Sequence, residues 1–138
     1  MYLVDTNVLS EVRKKQKANK GVRQFFEAVA KEDKALYLSV VTIGELRRGV
    51  ELIRHRGDTR QANQLEKWLG NILENYQENI LSIDEETAQL WGKLRVPHPE
   101  NALDKQIAAT ALIHELTVVT RNSKDFIKTG AKVLNPFK

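Results

Sequence analysis

Residues 1–12, MYLVDTNVLSEV, decide how the rest of the chain is read. Four residues rich in apolar side chains (Met1 to Val4) end abruptly on a carboxylate, Asp5. After two polar residues, Val8, Leu9 and Val12 recur at helical spacing. This is the pattern of a buried strand, a tight turn and a helix packed back on it. A strand followed at once by a helix starts a parallel α/β layer, and the acid at its carboxyl end lies where such folds gather their ligands.

The same alternation continues outward. A basic stretch, RKKQKANKG, leads into VRQFFEAVAKED, where Val22, Phe25, Phe26, Val29 and Ala30 form one face of a helix. ALYLSVVT (35–42) is β-branched and aromatic enough for a buried second strand, and IGELRRGVELIRHR resumes helical periodicity. GDTRQANQLEKWLGNILENY gives a further helix after a polar turn, and its apolar side exceeds what one sheet face covers, which fits a contact with a second copy or a partner. NILSI (79–83) is a third strand. DEETAQLWGKLRV is a helix opening on acids, as the helix dipole favours, and PHP stops it. A helix over about 102–116, a strand TVVT (117–120) and a short strand KVLN (132–135) complete the chain. The expected architecture is therefore α/β: one domain over residues 1–138, with a central, mostly parallel sheet of four to five strands flanked by helices on both faces.

Composition narrows the chemistry. With 41% hydrophobic and 29% charged residues the chain fits a globular domain, and no apolar run reaches the roughly 20 residues of a membrane helix. The N-terminus has no secretory pattern, so a cytoplasmic location is expected. There is no cysteine, which excludes disulfides, thiolate catalysis and thiolate-bound zinc. His55, His98 and His114 are far apart and read as structural or surface residues. A net charge of +4 is compatible with a polyanionic partner without requiring one.

Four acids lie after strands or at helix starts on the same expected edge: Asp5, Glu45, Asp104 and Asp125. Each has a plain structural use. Asp5 can cap the first helix, Thr42 and Glu45 have capping-box spacing, Asp104 suits a first helical turn, and NSKD (122–125) can cap a short segment. Their common edge is what the plain uses leave unexplained. Like charges about 4 Å apart at an effective dielectric near 20 repel by about 4 kcal/mol per pair, so a cation must offset them. Without cysteine or paired histidine, a hard divalent ion such as magnesium or manganese is the simplest choice. It would suit metal-assisted attack on a phosphate ester.

LVDTNVLSEV, LSVVTIGELRRGVE, LDKQIAATA and VVTRNSKDF resemble, in order and spacing, the signature segments of PIN-domain ribonucleases, specifically the VapC-type toxins of bacterial toxin-antitoxin pairs. The resemblance runs almost end to end. It implies that Asp5, Glu45 and Asp104 hold Mg²⁺ or Mn²⁺. Many relatives place an acid soon after the TR dipeptide, whereas this chain has Asn122 there and its next acid at Asp125, so both enter as the fourth site position. Asn7 and Thr120 resemble the polar groups that fix carboxylate geometry in such sites, and Ser39 and Thr42 read either as further support or as turn and capping groups. The resemblance also implies cleavage of RNA, in several members a tRNA, to inhibit translation. It further implies a homodimer and a cognate VapB-type antitoxin, with DNA bound only indirectly through that antitoxin.

Arg13, Lys14, Arg47 and Arg48 stand nearest the first two site positions in sequence and are expected to touch RNA; their plain reading is a solvated helix face. Two other enzyme and signalling classes fit less well. A haloacid-dehalogenase-like phosphatase needs a second Asp where Asn7 stands, and a receiver domain needs paired acids at the first strand's end. The remaining alternatives are a PIN-domain RNA-processing nuclease that is not a toxin, and an inactive PIN-like binding module.

Overall fold

A computed structural model describes residues 1–138. Its central strand is the opening stretch: β1 (Tyr2–Val4) pairs in parallel with β2 (Leu36–Ser39) on one side and with β4 (Thr117–Val119) on the other. β3 (Ile80–Leu81) extends the sheet beyond β2 and β5 (Val133–Leu134) extends it beyond β4, giving the order β3-β2-β1-β4-β5, parallel throughout. Strands this short persist because both faces are covered. Alternate residues serve opposite faces: Val4 and Val119 enter one core, Leu3 and Val118 the other, and all four are fully buried. Each such side chain contributes about 1.5–3 kcal/mol relative to exposure.

The first core is closed by α1 (Thr6–Val12), α2 (Lys20–Lys31), α3 (Val40–His55) and α4 (Thr59–Asn75), through residues such as Leu9, Val22, Val50 and Leu69. The second is closed by α6 (Ala102–Ile113) and α7 (Ser123–Ile127), with α5 (Glu85–Leu94) beside α6. Ala108 and Ala111 on α6 let that helix lie close to the sheet. No helix is long and apolar enough to cross a membrane.

Several sequence boundaries move. The second strand stops at Ser39, not at 42, because the Ser39 hydroxyl accepts a hydrogen bond from Val41 N (3.1 Å) and starts α3 there. The cap overrides the β-propensity of Val40 and Val41. Thr42 is consequently inside the helix, so the Thr42–Glu45 capping box does not form; its buried hydroxyl has no hydrogen-bond partner. The third strand shrinks from five residues to two. The basic stretch holds a short 3-10 turn (Lys15–Lys17), and Asn19 caps α2. The apolar side of α4 is largely absorbed: Leu69 and Ile72 are buried and Leu65, Trp68 and Tyr76 pack against the first core, leaving Leu73 exposed.

The order of strands fixes the site. The chain moves outward from β1 through β2 and β3, then returns to β4 on the other side of β1. The connections above β1 and β4 therefore diverge and leave a crevice at their carboxyl ends.

Candidate metal centre

Asp5 stands at that crevice. Its backbone N–H still bonds Val119 O (2.9 Å), so its main chain belongs to the sheet while its side chain is free to turn to the edge. The carboxylate is 3% exposed and accepts three hydrogen bonds: from Thr6 N (2.8 Å), from Thr120 Oγ1 (2.7 Å) and from Asn7 Nδ2 (3.3 Å). Burial raises its pKa and the three donors oppose that; burial prevails. The capping use and the site position are thus one and the same residue, since Asp5 is also the N-cap of α1.

Thr120, directly after β4, is fully buried, and its hydroxyl is used completely. It donates to Asp5 and accepts from Asn122 N (3.0 Å) and from Asn7 Nδ2 (3.4 Å). Asn7 completes the link by accepting from Arg121 N (3.1 Å). The ends of β1 and β4 are therefore tied through side chains as well as through the sheet. Replacing Thr120 by Val keeps the shape but removes the donor to Asp5 and leaves Asn122 N without its acceptor. The RNA cleavage that the family resemblance implies is expected to fall about 10- to 100-fold, as for other groups that orient a ligand, while Thr120→Ser retains most of it. Equal rates for the Val and Ser variants would refute this role.

Glu45, on α3, turns one carboxylate oxygen to the Thr6 hydroxyl (2.8 Å). Its pKa is raised by burial and, less strongly, by Asp5. Asp104 lies in the first turn of α6. Burial first, then the charges of Asp5, Asp125 and Glu45, push it up to about 6. Asp104 is thus within electrostatic reach of all three other acids, which come from α1's cap, α3 and α7. No three acidic or histidine side chains lie close enough to form a ready-made ligand set. Glu45 is engaged by Thr6 instead.

The donor set is oxygen only, which suits a hard cation that keeps several waters and takes one or two carboxylates directly. Repulsion within the basin is what such an ion would relieve. The consequence for folding has a definite sign. A carboxyl whose pKa rises from 3.8 to about 6 on folding favours the folded state below about pH 4, and that contribution is lost as pH rises through 6. In EDTA, Asp104→Asn is therefore expected to be more stable than the parent at pH 7 and to lose the advantage near pH 4. Discounted for half exposure, the gain is on the order of 1 kcal/mol, or roughly 3–5 °C in Tm. Parallel pH profiles of the two proteins would exclude it.

Asn122 and Asp125 separate in character. Asn122 is the exposed N-cap residue of α7 and its side chain makes no capping bond, whereas Asp125, in the first turn of α7, is the one whose charge reaches Asp104. A cleft of about 420 Å³ opens beside Asp125, bordered by Lys105 and Lys128. The basic residues expected near RNA are mostly engaged on the surface. Lys14 pairs with Glu11 (2.9 Å), Arg47 with Glu66 (3.0 Å), and the Arg13 guanidinium lies 5.8 Å from the Trp68 ring centre; Arg48 is exposed. All three histidines are exposed. Thr6 was not singled out in the sequence, although its place between Asp5 and Asn7 in DTN was the available signal.

The description of the PIN domain matches residues 2–132. The chain is 36% identical over 143 aligned positions to toxin FitB of Neisseria gonorrhoeae, covering 99% of each protein, and 30% identical to VapC ribonuclease Y4jK of Sinorhizobium fredii, covering 100% of this chain and 99% of that one. Among solved structures it resembles FitAcB from Neisseria gonorrhoeae, with a TM-score of 0.84 at 36% identity over 99% of this chain and 98% of that one. FitAB bound to an IR36 DNA fragment gives a TM-score of 0.85 at 33% identity over 100% and 96%. Sequence and fold agree over almost the whole chain, and it belongs to the PIN-domain family.

Proposed function

We propose that this chain is the toxin of a type II toxin-antitoxin pair and acts as a Mg²⁺- or Mn²⁺-dependent endoribonuclease, with residues 1–138 as one PIN domain. What supports the reading is the electrostatic coupling at the crevice above β1 and β4: burial and the charges of Asp5, Asp125 and Glu45 push Asp104 up to about 6. Asp5, Glu45 and Asp104 would hold the ion. Bound there, it would polarise a phosphoryl oxygen and make a coordinated water a better nucleophile. Asp5 contributes a fixed anchor, because three donors leave its carboxylate little freedom. Asn7 and Thr120 hold that anchor in register with β4. Asp125 adds charge from α7, and the Asn122 amide, on the same rim, is available to a water or to substrate. Arg13, Lys14, Arg47 and Arg48 would meet RNA phosphates: the surface ion pairs of Lys14 and Arg47 are weak and exchangeable, and Arg13 and Arg48 have none.

The names of the relatives support the toxin assignment, and the FitA-containing complexes support a VapB-type antitoxin as partner, with DNA reached through it. A homodimer and a cytoplasmic setting belong to the same proposal. The decisive experiment purifies the chain free of antitoxin and incubates it with total cellular RNA. Cleavage is expected with Mg²⁺ and none with EDTA; cleavage that persists in EDTA removes the metal assignment, and none in any condition leaves a binding module. Expression alone is expected to arrest bacterial growth and Asp104→Ala to relieve it. Cleavage in vitro with unimpeded growth would instead indicate an RNA-processing nuclease.

A further inference from the structure

We infer that Arg121, laid over Phe137, forms a subsite for a backbone phosphate of single-stranded RNA beside the one that is cut; the inference rests on the nuclease reading. Arg121 follows Thr120 in the chain. Its N–H is bonded to Asn7 Oδ1, which fixes its main chain at the rim of the acidic basin. Its side chain is exposed, and the guanidinium carbon sits 4.7 Å from the centre of the Phe137 ring. An aromatic face holds a guanidinium without neutralising it, so the N–H edge remains available for a bidentate contact with phosphate.

Among the other cations around the first two site positions, Arg13 lies over Trp68 and Arg48 is exposed, both without an ion pair, but neither has its main chain bonded to Asn7 at the rim as Arg121 has. Lys14 is paired with Glu11, and Arg47 and Arg54 share Glu66. Arg121 forms no ion pair. The acid that feels its charge, Glu11, is already engaged by Lys14 Nζ and by Asn19 N (2.7 Å). A negatively charged basin repels RNA, and an unneutralised cation fixed on its rim is what brings a phosphodiester strand across it.

The shelf is built from a distance. Phe137 also packs against the first core, and the segment carrying it is clamped to the start of α2. Asn19 Oδ1 accepts from Lys138 N (3.0 Å) while Asn19 Nδ2 donates to Lys138 O (2.9 Å), and Lys138 Nζ reaches Gln24 (2.7 Å). At Gly21 a Cβ would stand 2.0 Å from Pro136 O, so the segment crosses α2 where only glycine admits it. Gly21 and Phe137 are thus positioning residues for Arg121.

The test measures affinity for a fluorescent single-stranded RNA oligomer in EDTA, with Asp5→Asn as the parent so that nothing is cut. Adding Arg121→Ala is expected to weaken binding about tenfold and to reduce the slope of log K against log salt by about 0.7, the share of one phosphate contact on a single strand. Phe137→Leu changes no charge yet weakens binding several-fold, and Phe137→Trp restores it. Gly21→Ala behaves like Phe137→Leu. Lys31→Ala, at the far end of α2 near the sheet's amino edge, serves as the charge-matched control and changes affinity less than twofold. If Arg121→Ala matches Lys31→Ala in affinity and slope, the subsite is wrong, whether or not the unsubstituted chain cuts RNA. If the slope falls as expected but the unsubstituted chain cuts nothing, the nuclease reading fails and the RNA contact stands.

Discussion

Asp5→Asn is expected to lower RNA cleavage at least about a hundredfold while moving the Tm by no more than a few degrees. The two effects part company because two costs nearly cancel in the fold. Neutralising the side chain removes the burial penalty that raises the Asp5 pKa, and it removes repulsion with Glu45 and Asp104. Against that, the carboxylate accepts from Thr6 N, Asn7 Nδ2 and the Thr120 hydroxyl, and an amide offers only one oxygen to those three donors. Its NH₂ group must face at least one of them: Thr6 N if it takes the Oδ1 position, or Asn7 Nδ2 and the Thr120 hydroxyl if it takes the Oδ2 position. Each lost or reversed bond costs about 1 kcal/mol, comparable with the relief of charge. Cleavage has no such compensation, because a neutral amide contributes no charge to the ion. A second measurement keeps the two apart: Mg²⁺ is expected to raise the Tm of the parent and not that of the variant. A variant that keeps both its cleavage rate and its Mg²⁺-dependent stabilisation would show that Asp5 serves the fold alone.

The general plan could be read from residue order alone, because apolar runs ending on polar residues and alternating with 3.6-residue periodicity leave few topologies. Asp5 illustrates what was legible: a strand end, a helix start and a carboxylate coincide in three residues. The local role of Glu45 illustrates what was not. Its spacing from Thr42 matched a capping box, yet the helix began three residues earlier at Ser39, a choice made by a single serine hydroxyl against two β-branched residues. The support for each acid was likewise partly hidden. Asn7 and Thr120 were nominated by the family resemblance, whereas the contact of Thr6 with Glu45 spans 39 positions and depends on how α3 packs on α1. The Arg121–Phe137 contact depends on Gly21 in α2, and no local pattern in any of the three segments announces it. Contacts set by tertiary packing, not by periodicity, are the ones the sequence withholds.

Phe126→Ala is expected to cost about 3–5 kcal/mol, the range for emptying a buried phenylalanine site, and to lower the Tm by roughly 10–15 °C. The neighbouring Ile127→Ala serves as its control. Phe126 is fully buried in the second core while Ile127 is 61% exposed, so the second change should stay within about 0.5 kcal/mol. The effect reaches the site because α7 has five residues, too few to hold a helix without packing. Phe126 is the one side chain of α7 that is buried, and its carbonyl also receives the Thr129 hydroxyl at 2.5 Å. Without that anchor α7 loosens between Asn122 and Asp125, and the Asp125 charge no longer bears on Asp104. Cleavage measured well below the melting range, per folded molecule, then distinguishes two kinds of site. If Asp125 contributes to the charge that holds the ion, Phe126→Ala needs more Mg²⁺ for half-maximal cleavage, and Asp125→Asn reproduces that demand without the loss of stability. If both variants cut RNA at the parent's Mg²⁺ requirement, Asp5, Glu45 and Asp104 suffice and α7 only closes the second core.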